Sequence, residues 1–281
     1  MPIAIRRTAA VDVAAYLRRI GIQDDVAPDL PTLTRIVEGH TRTIPFENLD
    51  PLLGRPVSLE PAALLDKLVH HGRGGYCFEH NGLLHTVLDA LGYDVAALLA
   101  RVRWGRPDGT CPPRTHQVLR VGIGPAAYLV DVGFGGPTPT SPLAMAPGRV
   151  QATAHEPCRL LRDGELLTLQ VHRDDGWRPA YEFTLEPQQR VDLEVVNHYT
   201  ATHPASRFST ALLGARAAEG RRIALTNLRL VVRHADGRTE RRPLTDVAAL
   251  RAALEHDLAI TLPAELDLDA LFDRLRSGAS G

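Results

Sequence analysis

The sequence predicts an α+β chain in three parts: a helical bundle, then an antiparallel barrel or sandwich, then a mixed α/β last third. Three observations carry this reading. Apolar residues recur at steps of three and four up to residue 92, and the period drops to two from Tyr93. Hairpin signals and one further helical stripe then alternate toward the C-terminus. A chain of 281 residues can bury the core of one large domain or of two to three small ones.

Val13, Tyr16, Leu17 and Ile20 form the first helical stripe, which Gly21 closes. Leu33, Ile36, Val37 and His40 form the second, ending before Ile44-Pro45-Phe46-Glu47-Asn48-Leu49. Ser58 is placed to cap a third helix with Pro61 in its first turn, Leu64, Leu65, Leu68 and Val69 on its face and Gly72 as its stop. A fourth runs from Cys77 through Leu84, Val87, Leu88 and Leu91 to Gly92. Alternation then marks strands over 95–104, 116–121 and 128–132, the last running into Gly133-Phe134-Gly135-Gly136. Strands over 166–171 and 181–185 flank an Asp175-Gly176 turn, so the β region extends to about residue 195. In the last third, 228–232 and the stretch after Asp236-Gly237 make another hairpin. Thr245 is placed to cap a helix bearing Val247, Leu250, Leu254 and Leu258, a short helix covers 268–275, and the tail from Ser277 to Gly281 frays.

Composition narrows the function classes. The net charge is −1, so no overall field steers the chain to nucleic acid or to an anionic membrane. Nearly all the positive charge is arginine. Three cysteines without a Cys-x-x-Cys pair argue against a disulfide framework or a zinc site and point to a reducing compartment. The segment Met1 to Arg7 lacks the apolar core of a signal peptide, and no apolar run approaches a membrane span. The expectation is a cytoplasmic protein, monomeric or homodimeric, without metal.

One cysteine stands apart. In Arg73-Gly74-Gly75-Tyr76-Cys77-Phe78-Glu79-His80-Asn81 it follows a two-glycine turn and opens a helix. Unpaired backbone N–H groups and the helix dipole favour negative charge there, which favours the thiolate. The bland alternative is a buried structural cysteine on a core helix. A thiolate nucleophile needs an imidazole to take its proton and a third group to orient the ring. His116 opens one predicted strand, and Asp131 ends another that is otherwise apolar, where an acid is costly unless paired. A bond from His116 Nδ1–H to Asp131 would leave Nε2 facing the thiol. Taken singly, His116 also reads as a hydrogen-bonding strand-end residue, and Asp131 as a partner for a turn amide. His70, His71, His80, His85, His155, His198 and His203 show no metal-ligand spacing and read as structural, and Cys111 and Cys158 receive no role. A Cys…His…Asp set fits acyl transferases, papain-like hydrolases and transglutaminases alike.

The run from Arg73 to Asn81 resembles the signature of the arylamine N-acetyltransferases. Ile44 to Leu49, Thr115-His116 and Val130-Asp131-Val132-Gly133-Phe134-Gly135 follow in the order of that family's other motifs. Ser141-Pro142-Leu143, His155-Glu156-Pro157 and Thr202-His203-Pro204 make the pattern most like mycobacterial and other actinobacterial members, weakening after about residue 215. The resemblance implies a helical bundle over 1–92, a β-barrel over 93–195 and an α/β lid over 196–281. It implies acetyl transfer from acetyl-CoA to aromatic amines and hydrazines through an acetylated cysteine. By matching position Cys77 would be the nucleophile, His116 the general base and acid, and Asp131 the orienting carboxylate. Phe46, Thr115, Gly133, Phe134 and Phe208 match positions that line the family's substrate pocket; no coenzyme-binding residues carry over. An amide synthase that closes a polyketide chain onto its aromatic amine is the alternative within the same chemistry. A thiol hydrolase and a catalytically silent binding protein are the readings from other classes.

Overall fold

The computed structural model describes residues 11–107, 109–173 and 176–278. Met1 to Arg7, Asp175 of the expected turn and the last three tail residues therefore lie outside the described residues.

Asp12 opens the first helix, α1 (Val13–Arg19), by accepting the Ala15 N–H at 2.8 Å, and Asp29 opens α2 (Leu30–Thr43) by accepting that of Thr32 at 2.9 Å. Phe46–Glu47 forms a two-residue strand, β1, and Leu49–Leu52 a single turn, α3. The third expected helix is α4 (Pro61–Leu65) continued by a π-turn over Asp66–His70, with Glu60 rather than Ser58 as its N-cap. Proline at the first helical position sets that boundary, and the Ser58 hydroxyl accepts the Glu60 N–H in the turn before it. The Cys77 helix is α5 (Cys77–Ala90).

Eight strands follow: β2 (Asp94–Val102), β3 (Arg114–Ile123), β4 (Ala126–Val130), β5 (Leu143–Ala144), β6 (Val150–Gln151), β7 (Cys158–Asp163), β8 (Leu166–Arg173) and β9 (Gly176–Phe183). They pair antiparallel in the order β5-β4-β3-β2-β9-β8-β7-β6. The sheet curls into a nearly closed barrel, and a side chain bridges its seam. Gln151 of β6 accepts the Ala144 N–H at 2.7 Å and donates to the Ala144 carbonyl at 2.9 Å.

The stretch 190–195, expected as β, instead begins a helix, α6 (Arg190–Thr202), followed by the turn α7 (Arg207–Thr210). A second sheet contains β10 (Leu213–Ala218), β11 (Arg221–Thr226), β12 (Arg229–His234) and β13 (Thr239–Pro243), with β1 added at the edge beside β10. It packs against α8 (Val247–Ala252), extended by a π-turn over Ala253–Asp257, and α9 (Leu268–Gly278). Asp246, not Thr245, caps α8 through a 2.8 Å bond from the Ala249 N–H, and Ser277 and Gly278 continue α9 instead of fraying. An Asp carboxylate one residue nearer the helix reaches the third amide directly, which the threonine cannot do from outside.

Period two decides which residues meet which core. Ala97, Leu99, Leu119, Val121 and Val130 join the helices in one cluster, while Leu98, Ala100, Val118 and Leu129 fill the barrel with residues of β7 to β9. His116 shares the parity of Val118, and Asp131 that of Leu129, so both lie on the barrel side at its end next to α5.

Candidate active site

Cys77 occupies the first position of α5 and is 3% exposed. Its approach is built by the two glycines before it. A Cβ on Gly74 would stand 2.0 Å from the Pro45 carbonyl oxygen, and one on Gly75 would stand 2.6 Å from the Glu79 carboxylate. Only glycine admits these contacts. Glu79 in turn accepts the Tyr76 N–H at 3.0 Å, one of the unpaired donors at the helix start. A largely buried ionic network surrounds the turn. Lys67 Nζ lies 2.5 Å from both Asp50 and Glu79, and Arg73 lies 2.7 Å from Glu47 and 3.2 Å from Asp50. Burial raises the Glu79 carboxyl, against the pull of Lys67.

His116 and Asp131 meet on the other side of the thiol. His116 Nε2 lies 2.8 Å from Asp131 Oδ2, so the pairing anticipated from the sequence forms through the opposite ring nitrogen, and Nδ1 is the one left for the thiol. Asp131 Oδ1 accepts two further bonds, from Asn81 Nδ2 at 3.0 Å and from the Gly133 N–H at 2.9 Å. Burial disfavours a charged His116, but the Asp131 carboxylate outweighs it, helped by a hydrogen bond and charge from Cys77, and the ring is pushed up to about 10. Asp131 moves the opposite way: burial raises it, while His116, Asn81 and Gly133 together bring it below the usual carboxylate range. The pair is therefore an imidazolium and a carboxylate at neutral pH. Cys77 Sγ itself also lies 3.8 Å from the Thr115 carbonyl oxygen.

The five residues matched to a substrate pocket gather at this point. Gly133 presses against the helix start, where an added Cβ would stand 2.8 Å from Cys77 Cα. Phe134 tilts against the His116 ring at 4.9 Å between centroids. Phe46 and Phe208 face one another at 6.2 Å, and Phe208 meets the Tyr76 ring edge-on at 5.3 Å. A cavity of about 930 Å³ lies between α3 and α6, and its lining includes Asn197, which bonds the Tyr76 hydroxyl. Cys77 and His116 are not among its lining residues.

Several contributors escaped the sequence reading. Asn81, one turn after Cys77, bonds the Gln117 carbonyl at 2.7 Å as well as Asp131, and its own carbonyl accepts the Val132 N–H at 3.1 Å. It thus ties the helix that begins at Cys77 to both strands. Arg222, 5% exposed on β11, bonds Glu156 at 2.5 Å and the carbonyls of Gly136 and Thr138 at 3.0 and 2.9 Å. Thr138 then donates to the Asp131 carbonyl at 2.9 Å, so the second sheet braces the loop that carries Gly133 and Phe134. The only signal available beforehand was a polar residue inside an otherwise apolar pattern, which does not name its partner. Among the described residues no group of three or more His, Cys, Asp or Glu is arranged to hold a metal ion, and no helix is long and apolar enough to cross a membrane.

Comparison with known proteins assigns the chain. A family described as N-acetyltransferase matches residues 29–266. An arylamine N-acetyltransferase of Mycolicibacterium smegmatis is 48% identical over 258 residues, 90% of this chain and 93% of the relative. One of Escherichia coli is 38% identical over 87% of each. The solved M. smegmatis arylamine N-acetyltransferase superposes with a TM-score of 0.90 at 47% identity, covering 94% of this chain and 98% of that one. The Mycobacterium marinum arylamine N-acetyltransferase, solved in complex with CoA, does so with a TM-score of 0.90 at 43% identity, covering 95% and 99%. The chain belongs to the arylamine N-acetyltransferase family and is an acyltransferase.

Proposed function

We propose that this enzyme acetylates arylamines and arylhydrazines from acetyl-CoA by a ping-pong route through acetyl-Cys77. One observation carries the reading: a thiol at the first position of α5 hydrogen-bonds an imidazole whose Nε2 is bonded, 2.8 Å away, to a buried carboxylate. In this reading residues 1–92 supply the nucleophile, 93–195 the base and its orienting acid, and 196–281 the lid that brings Phe208.

Cys77, paired as thiolate with the His116 imidazolium, attacks the thioester carbonyl of acetyl-CoA. The new S–C bond forms as the bond from carbonyl carbon to CoA sulfur breaks, and CoA leaves with the proton that His116 holds. The exchange replaces one thioester by another and is close to neutral in energy. The amine then attacks the acetyl carbon, His116 accepts the amine proton as the tetrahedral intermediate collapses, and Cys77 leaves as thiolate beside the recharged ring. In this mechanism backbone N–H groups near the start of α5 stabilise the oxyanion. Phe46, Phe134 and Phe208 offer flat faces to an aromatic acceptor, and Thr115 and Gly133 complete the wall. The CoA complex of the M. marinum relative supports the donor, and three unpaired cysteines agree with a cytoplasmic setting.

The test is intact mass after brief mixing with acetyl-CoA and no amine. A gain of about 42 Da on Cys77 that disappears on adding a hydrazine is expected. Unmodified protein whose Cys77 still reacts with a thiol reagent would reject acetyl-CoA as donor and turn attention to longer acyl thioesters and the amide-synthase reading.

A further inference from the structure

Three buried side chains outside the Cys77–His116–Asp131 line form an unbroken hydrogen-bonded chain across the helical bundle. The Tyr16 hydroxyl on α1 lies 2.8 Å from His40 Nδ1 on α2, and His40 Nε2 lies 2.7 Å from His80 Nδ1 on α5. His80 Nε2 lies 3.1 Å from the Pro45 carbonyl oxygen. All three side chains are 0% exposed.

The last acceptor sets the direction of the whole chain. A carbonyl oxygen only accepts, so His80 carries its proton on Nε2 and presents a lone pair at Nδ1. His40 must then donate from Nε2, which leaves its Nδ1 to accept from Tyr16. The chain runs one way, Tyr16 to His40 to His80 to Pro45, and closes only with both rings neutral and protonated at Nε2. A second proton on His80 would set two donors face to face. A second proton on His40 would make the Tyr16 oxygen an acceptor and strand its hydrogen in an apolar core. The surroundings agree. Burial brings His80 down to about 4, against the hydrogen bonds to the Pro45 and Gly75 backbone and the charge of Glu47, with Lys67 assisting, and burial, His80 and Arg19 hold His40 well below its usual value.

The end of the chain sits at the acceptor wall. The Pro45 oxygen also accepts the Gly75 N–H at 3.4 Å, next to the turn before Cys77. The following residue, Phe46, stacks on the His80 ring at 6.4 Å and 14° and faces Phe208. We propose that the Tyr16–His40–His80 chain is a positioning device for Phe46 that sets the affinity for the aromatic acceptor and not the acylation of Cys77. This rests on the reading of Phe46 as a wall of the acceptor pocket.

His80→Leu and His80→Gln separate the alternatives, because a glutamine amide can accept from His40 and donate to Pro45 in the same sense. With 4-methoxyaniline as probe, His80→Leu is expected to raise the acceptor KM about tenfold, one hydrogen bond's worth. Single-turnover acylation by acetyl-CoA is expected to stay within about twofold, and His80→Gln to recover most of the KM. Tyr16→Phe, which deletes one hydroxyl, serves if the leucine variant does not fold, with a KM rise of about threefold. Long-range ¹H–¹⁵N spectra of the wild type at pH 6 should show both rings neutral with the proton on Nε2. A charged ring or an Nδ1–H tautomer there overturns the chain. An acylation rate that falls as far as KM rises, or a KM indifferent to all three variants, overturns its role. A wild type that gains no acetyl group from acetyl-CoA fails the functional reading itself. One that acylates normally while KM ignores His80 fails this proposal alone.

Discussion

Asp131→Asn isolates the electrostatic half of the site while keeping its shape. Asp131 Oδ1 holds the Asn81 amide and the Gly133 N–H at 3.0 and 2.9 Å, and an asparagine oxygen can keep both. Its NH₂ then replaces Oδ2, which now accepts from His116 Nε2 at 2.8 Å. Two N–H groups cannot face each other, so the ring must give up its Nε2 proton and keep the one on Nδ1, the nitrogen left for Cys77; the imidazolium is lost and no base remains there. The same exchange in a serine triad lowers kcat about 10⁴-fold through the wrong tautomer, or about 5 kcal/mol of barrier. We expect a loss of that order in single-turnover acylation by acetyl-CoA, with near-normal folding. The pH dependence has a definite sign. His116 is raised to about 10, so its contribution to stability is complete below the free histidine value of about 6.5 and is lost as pH rises toward 10. Asp131 is lowered, so its contribution is present above about 3.9 and is lost in more acidic solution. The stability difference between wild type and Asp131→Asn should therefore be largest between roughly pH 4 and 6.5 and shrink toward pH 10. Acylation that falls less than about tenfold, or a stability difference that grows as pH rises above about 6.5, would refute the imidazolium–carboxylate pair.

Three further outcomes follow from packing and burial. Gly133→Ala puts a Cβ 2.8 Å from Cys77 Cα, a backbone contact that no rotamer can relieve. It should cost about 1–3 kcal/mol by denaturant melts and slow acylation at least about tenfold, and unchanged kinetics would show that the loop yields freely. Arg222→Met removes the guanidinium that bridges Glu156, Gly136 and Thr138 and leaves Glu156 with Arg173 alone. Thermal unfolding should report a loss of about 3 kcal/mol, and a loss under about 1 would mean that the brace is dispensable. Burial pushes the Cys158 thiol up to about 12, whereas Cys111 is exposed. Iodoacetamide at pH 8 should mark Cys111 in the folded protein and Cys158 only after denaturation, as read by peptide mass. Equal labelling of both would contradict the burial of β7.

Much of the chain was legible because local chemistry decides it. The stripes of α1, α2 and α5, the glycine stops and the alternating strands β2 to β4 depend on period and turn residues that lie within a few positions of one another. Cys77 behind its glycine turn, His116 at a strand start and Asp131 in an apolar run also stood out locally, as residue types at odds with their surroundings. The sequence by itself thus determined which residues have chemistry to offer and the kind of element that carries each. Where it failed, the deciding contact was distant. Glu60 and Asp246 displaced the expected caps by small local margins, but α6 was missed where exposed Val191, Val195 and Tyr199 leave it no clean apolar face. The nitrogen that His116 turns to Asp131, the three-way grip of Asn81, the reach of Arg222 from β11 and the one-way chain into Pro45 were decided only by tertiary structure. Each joins side chains far apart in sequence, and a buried polar group selects its partner by distance and direction in the folded chain, which no spacing along the sequence encodes.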